Sequence, residues 1–136
     1  MRVKPMANQR TKATRGSDLT IVLCGEAGQG IQTIEQGLAR VLKRAGLHVF
    51  STKEYMSRVR GGCNSTLIRV SAERVAAFVR RIDVLLPLAP EALGHLGDRV
   101  TPQTLIVGDR QALGVDGAVR DVPLGEIARE AGSKLY

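Results

Sequence analysis

The chain is poor in aromatic residues: no tryptophan, two tyrosines and two phenylalanines among 136 residues. A nucleic-acid face that stacks bases on aromatic rings therefore has little to work with. Cysteine is equally scarce. Cys24 and Cys63 cannot by themselves form a disulfide scaffold or a four-thiolate metal site, and two free thiols are the default of an intracellular chain. No apolar run approaches the roughly 18 residues that a membrane-spanning helix needs, so no membrane partner is expected. The first 17 residues lack the apolar centre of a secretory signal. Cytoplasmic placement is the expectation.

Acidic residues are missing from one place in particular. Residues 1–15 carry Arg2, Lys4, Arg10, Lys12 and Arg15 with no acid, so five of the seven net positive charges belong to this stretch. The other 15 basic residues face 13 acids. The high isoelectric point thus describes a leader, residues 1–17, expected to be disordered, within which Met6 is as good a start as Met1. It does not describe a basic domain, and no nucleic-acid partner is expected.

What remains, residues 18–136, has the length of one domain and a globular composition, 43% hydrophobic and 24% charged over the chain. A chain of this size buries roughly two thirds of its unfolded surface and needs no metal or disulfide to hold a core. Leu19 to Cys24 is a short, mostly apolar run with β-branched residues, followed at once by glycines, which predicts a buried strand. Ile31, Ile34, Leu38, Val41, Leu42 and Ala45 then draw an apolar stripe on a helix ending near Gly46. His48 to Thr52 reads as a second strand, completing a right-handed crossover unit. Residues 53–63 read as an ordered polar loop. Asn64 to Ser71 alternates like a strand with one wetter face, Glu73 to Arg81 like a short helix, and Asp83 to Leu88 like a buried strand whose Pro87 marks a loop mouth. A short helix from Pro90 to Leu96, strands over 104–107 and 118–122, and a helix over 124–136 that runs to the end of the chain without a cap complete the pattern. Alternating elements with apolar strands predict a three-layer, Rossmann-like α/β domain with a mostly parallel sheet, whose ligands bind at the carboxyl ends of its strands.

Two loops are expected there. The first, Gly25-Glu26-Ala27-Gly28-Gln29-Gly30, is G-x-x-G-x-G, neither the dinucleotide fingerprint nor the phosphate loop with its lysine. Its glycines would still let backbone N–H groups face a ligand at the positive end of the following helix. Phosphate, carboxylate, a neighbouring subunit or no ligand at all are each compatible with that spacing. In the second loop Arg58 and Arg60 stand beside Gly61 and Gly62, where paired guanidinium groups suit a phosphate or carboxylate and equally suit a solvated turn. His48 and His95 have no carboxylate at ligand spacing, Cys24 reads as a small buried hydrophobe, Glu26 as an acid favouring a helix start, and Asp83 as a turn residue. No self-sufficient catalytic group stands out, and no metal site.

Taken together, the Gly25 to Ile31 loop after a first strand, Tyr55, Ser57-Arg58-Val59-Arg60-Gly61-Gly62, the strand through Ile68-Arg69-Val70-Ser71, and Asp83-Val84-Leu85 resemble the gamma domain of 2-oxoacid:ferredoxin (acceptor) oxidoreductases, the pyruvate, 2-oxoglutarate, branched-chain and indolepyruvate types. The stretch from Ser57 to Asn64 is most similar to forms in which gamma is fused ahead of alpha. The resemblance implies a gamma component that works only with alpha and beta components, oxidatively decarboxylating a 2-oxoacid to acyl-coenzyme A. Thiamine diphosphate with Mg²⁺ then sits between alpha and beta, an iron–sulfur cluster passes electrons to ferredoxin, and coenzyme A takes the acyl group. This chain would bind no cofactor alone but supply packing and part of the coenzyme A region, through Gly25, Glu26, Gly28, Gln29, Gly30, Arg58, Arg60, Gly61 and Gly62, with no catalytic residue of its own. Where the family's loop usually has a second glycine, Ala27 stands here. Family gamma domains continue past the position of Tyr136, so a C-terminally shortened domain with an exposed apolar face on its last helix is expected. The competing reading is a stand-alone Rossmann-like nucleotide-binding module.

Overall fold

The computed structural model describes residues 18–55 and 63–132. The basic leader, Arg58, Arg60, Gly61 and Gly62 lie outside them. Six strands form one sheet: β1 (Asp18–Glu26), β2 (His48–Glu54), β3 (Cys63–Ser71), β4 (Val84–Pro87), β5 (Leu105–Gly108) and β6 (Val119–Asp121), in the order β2-β3-β1-β4-β5-β6. Between them lie α1 (Ile31–Arg44), α2 (Glu91–His95), α3 (Arg110–Leu113) and α4 (Leu124–Glu130). The pairings β1–β4, β4–β5 and β5–β6 are parallel, whereas β3 runs antiparallel to both β1 and β2. The sheet is therefore mixed, with five strands pointing one way. The expected unit of β1, α1 and β2 is present, but β3 is inserted between its two strands.

Alternation along β1 sends side chains to two cores. Ile21 and Leu23 meet Ile68 and Val70 of β3 and the α1 residues Ile31, Leu38 and Leu42 on one face. Val22 and Cys24 meet Leu67, Leu85, Ala92 and Leu96 on the other, beneath α2. This gives the three layers that the apolar pattern predicts. Its detail differs at α1, whose sheet-facing positions are Ile31, Glu35, Leu38 and Leu42, while Ile34 and Val41 are exposed. The stripe is rotated because a carboxylate, Glu35, has partners on β2 and takes an inward position. β3 also differs from expectation. It is buried on both faces, Ser65, Thr66 and Ser71 included, because the layer of α1 covers one face and that of α2 the other.

No helix forms over Glu73 to Arg81. β3 ends at the edge where β4 begins, since Ser71 pairs with Asp18 and Val84 with Ile21, so the connection only has to pass beneath β1. There it is fastened by charge. Arg69 Nε donates to Asp18 Oδ2 at 2.6 Å, Arg81 Nη2 to Asp18 Oδ1 at 3.0 Å, and Arg81 Nε to Asp83 Oδ1 at 2.9 Å. Asp83 Oδ2 in turn accepts from the Thr20 backbone N–H at 2.8 Å. The guanidinium hydrogen bonds of Arg81 and then Arg69 hold the Asp18 carboxyl below its ordinary value of 3.8. A lowered folded value contributes stability that is complete above the ordinary value and is lost as pH falls through the lower one. Asp18→Asn is therefore expected to flatten the loss of thermal stability below about pH 4, measured as Tm against pH, and to leave its slope above about pH 5 unchanged.

At the other end of the chain α4 stops at Glu130, with Gly132 at φ 75° and its N–H bonded to Arg129 O at 3.0 Å. That left-handed glycine terminates the helix, so the uncapped helix expected over 124–136 is corrected to a shorter, capped one. α4 has no buried residue, and Ile127 is half exposed. α3 was not expected. Its signals are Asp109, whose side chain accepts from the Ala112 N–H, and Gly114, left-handed at the other end.

Candidate functional site

The turn after β1 is built around Gln29. Its Oε1 accepts from the Glu26 N–H at 2.7 Å and its Nε2 donates to Leu88 O at 3.0 Å, which ties the loop to the end of β4. A Cβ on Gly25 would lie 2.4 Å from Gln29 Oε1 and 2.9 Å from Leu88 Cβ, so Gly25 lets this amide lie flat against the strand. Gly28 at φ 92° and Gly30 at φ 76° then swing the chain into α1. Gly30 occupies the cap position without a side chain, and the first turn carries no acid. The N–H groups of Ile31, Gln32 and Thr33 are consequently left without partners inside the helix, at its positive end.

These amides form one wall of a cleft of about 400 Å³. Glu26, Ala27, Gly28 and Gly30 line it from the loop, Lys53 and Tyr55 from the end of β2, and Asn64 to Thr66 from the start of β3. The register explains the meeting. Glu26 pairs with Cys63 and Glu54 with Ser65, so β1 and β2 end where β3 begins. Of the residues expected to bind, Glu26, Gly28 and Gly30 line the cleft, and Gly25 and Gln29 shape it from behind. For Arg58, Arg60, Gly61 and Gly62 the structure describes only the neighbours on either side, and Tyr55 and Asn64 both line the cleft. Sequence reasoning missed Thr33, Lys53, Asn64 and Thr66. Alternation in β2 was the available signal, because Lys53 shares a face with Val49 and Ser51. Its ammonium lies 3.6 Å from Glu35 Oε2.

Residues 20–136 match the family model described as pyruvate ferredoxin/flavodoxin oxidoreductase. The chain belongs to this family. It is 32% identical over 120 residues to ketoisovalerate oxidoreductase subunit VorA of Methanothermobacter thermautotrophicus, a match covering 85% of this chain and 25% of that protein. The fold is similar to a 2-oxoglutarate:ferredoxin oxidoreductase from Magnetococcus marinus solved with 2-oxoglutarate, coenzyme A and succinyl-CoA bound, with TM-score 0.72 and 27% identity over 85% of this chain and 22% of that one. It shares its fold with the keto/oxoacid ferredoxin oxidoreductase gamma subunit of Geobacter sulfurreducens at TM-score 0.66 and 17% identity, covering 86% of this chain and 69% of that subunit. The gamma-type resemblance read from the residues agrees with these matches. The chain spans about a quarter or less of the curated relatives it matches.

For a member of the pyruvate ferredoxin/flavodoxin oxidoreductase family, the thiols matter as possible cluster ligands. Cys24 and Cys63 are free and buried. Burial, with Cys63 beside it, pushes the Cys24 thiol up to about 12, and burial also raises Cys63. Iron–sulfur clusters are held by several thiolates. No group of three or more His, Cys, Asp or Glu side chains that could hold a metal occurs among the described residues, and two buried thiols alone do not fit an iron–sulfur cluster. No helix among them is long and apolar enough to cross a membrane.

Proposed function

We propose that this chain is the gamma component of a 2-oxoacid:ferredoxin oxidoreductase, acting with alpha and beta components to convert a 2-oxoacid and coenzyme A to acyl-coenzyme A in the cytoplasm. The observation that carries the reading is the cleft. Unpartnered helix amides and the Lys53 ammonium converge there at the carboxyl edge of the sheet, an arrangement suited to a phosphate or other anionic group of coenzyme A. Arg58, Arg60, Gly61 and Gly62 join this site in the proposal. Thiamine diphosphate with Mg²⁺, which supplies the electron sink that lets a 2-oxoacid lose carbon dioxide, and the iron–sulfur cluster that passes electrons to ferredoxin, belong to the alpha and beta components. This chain's residues bind and orient the coenzyme and pack against those components.

Two measurements test the reading. Co-expressed with candidate alpha and beta components, the chain should co-purify with them and support 2-oxoacid- and coenzyme A-dependent ferredoxin reduction. A chain that stays apart from them and instead binds a nicotinamide or adenine nucleotide saturably would be the stand-alone module. In the assembled enzyme Arg60→Ala should weaken coenzyme A use by about 1–3 kcal/mol in kcat/KM, the range for a charge-assisted hydrogen bond. An unchanged kcat/KM would remove Arg60 from the site.

A further inference from the structure

Glu35 is placed where an apolar residue would serve stability better. It sits on the sheet-facing side of α1 between Ile31 and Leu38, with only 8% of its surface exposed. Its Oε1 accepts from Ser51 Oγ at 2.7 Å, and its Oε2 has no hydrogen-bond partner among the described residues. The nearest cation among the described residues is Lys53 Nζ at 3.6 Å, beyond good hydrogen-bonding distance. Burying a carboxylate is costly, and one hydroxyl with one loosely held ammonium repays little of that cost. The pair acquires a purpose from its position. Lys53 lies on the edge strand β2, its side chain about one third exposed, and it lines the cleft with Glu35 behind it. Glu26 lines the same cleft from the glycine loop.

We infer that Glu35 is a specificity-determining counter-ion: by balancing Lys53 it keeps small free anions such as inorganic phosphate from filling the cleft, in favour of an anionic ligand with a larger body. The inference rests on the reading of the cleft as an anion site. A compact anion must draw Lys53 away from Glu35 and then share the cleft with the Glu26 carboxylate. A phosphate that is part of a larger molecule meets the same repulsion but gains contacts along the cleft, from Ile31 to the exposed Tyr55 ring. The penalty is common to both, and the contacts along the cleft decide which anion can bear it.

The test is calorimetric titration of inorganic phosphate into the full chain. Glu35→Gln keeps an acceptor for Ser51 and removes the charge, and should tighten phosphate binding by about tenfold, within the range of coupling between neighbouring charged groups. Glu35→Leu, which removes the charge and fills the space, should repeat the gain. Lys53→Met should bind phosphate no better than the natural chain, and Glu35→Gln should add nothing in the Lys53→Met background, because Glu35 acts through Lys53. Phosphate binding that is unchanged or weaker in both folded Glu35 variants overturns the inference, as does an equal gain without Lys53. Absence of phosphate binding in every variant overturns the anion reading along with it. A gain in the Glu35 variants, with no coenzyme A-dependent turnover in the assembled enzyme, overturns the proposed enzyme function and leaves the counter-ion role standing.

Discussion

Leu85→Ala is expected to lower the unfolding free energy by about 2–5 kcal/mol, the range for truncating a buried leucine. Leu85 is wholly buried on β4, in register with Val22 of β1 and Ile106 of β5, and it belongs to the cluster that also holds Leu67, Ala92 and Leu96. β4 has only four residues, and β1 and β5 flank it on either side. Neighbouring backbones fixed by pairing on both sides cannot collapse far into the space left behind, which places the loss in the upper part of the range. A domain of this size has a total stability of about 5–15 kcal/mol, so the change consumes a large share of it. Urea unfolding with an unchanged slope and a lower midpoint checks the expectation. A shift below about 1 kcal/mol would mean that the layer over β4 yields easily.

Gly28→Val is expected to act by a different route. At φ 92° the backbone of Gly28 lies where a β-branched residue is an outlier, and holding it there costs about 1–3 kcal/mol. A Cβ at this position would meet nothing within 4 Å, so strain rather than collision is the cause. Gly28→Asn should therefore be much milder, because asparagine tolerates positive φ. The Val variant should lose stability and also anion binding in the cleft, since Gly28 is part of its wall. Equal damage from Val and Asn in a stability measurement would show that contact, not conformation, demands glycine here.

Sequence reasoning located the fold wherever local chemistry decides it. The apolar run ending in glycines became β1, the glycine turn became the entry to α1, and Pro87 ended β4. It failed where a residue's place depends on a distant partner. Glu35 reads as part of a polar helix face until Ser51 and Lys53, brought alongside by β2, make it an inward residue. Ser65 reads as part of a wetter strand face until the layer of α2 covers that face of β3. The segment after β3 has enough apolar residues for a helix, but its two ends meet one strand apart at a single edge, so a fastened coil suffices. The glycine turn of the site was legible as a motif. That the end of β2 and the start of β3 meet it follows from the reversed direction of β3, which no local pattern in Asn64 to Ser71 reveals.

The reversed strand also separates two kinds of change. Because β2 and β3 pair from Glu54 with Ser65 down to His48 with Ser71, the ends that the β2–β3 connection must join stand at neighbouring points of the sheet. Closing a longer loop between fixed ends adds only about 0.6 kcal/mol for each doubling of its length. Lineages could therefore lengthen, shorten or rewrite that connection without shifting a single rung of the ladder, leaving the chassis unaltered.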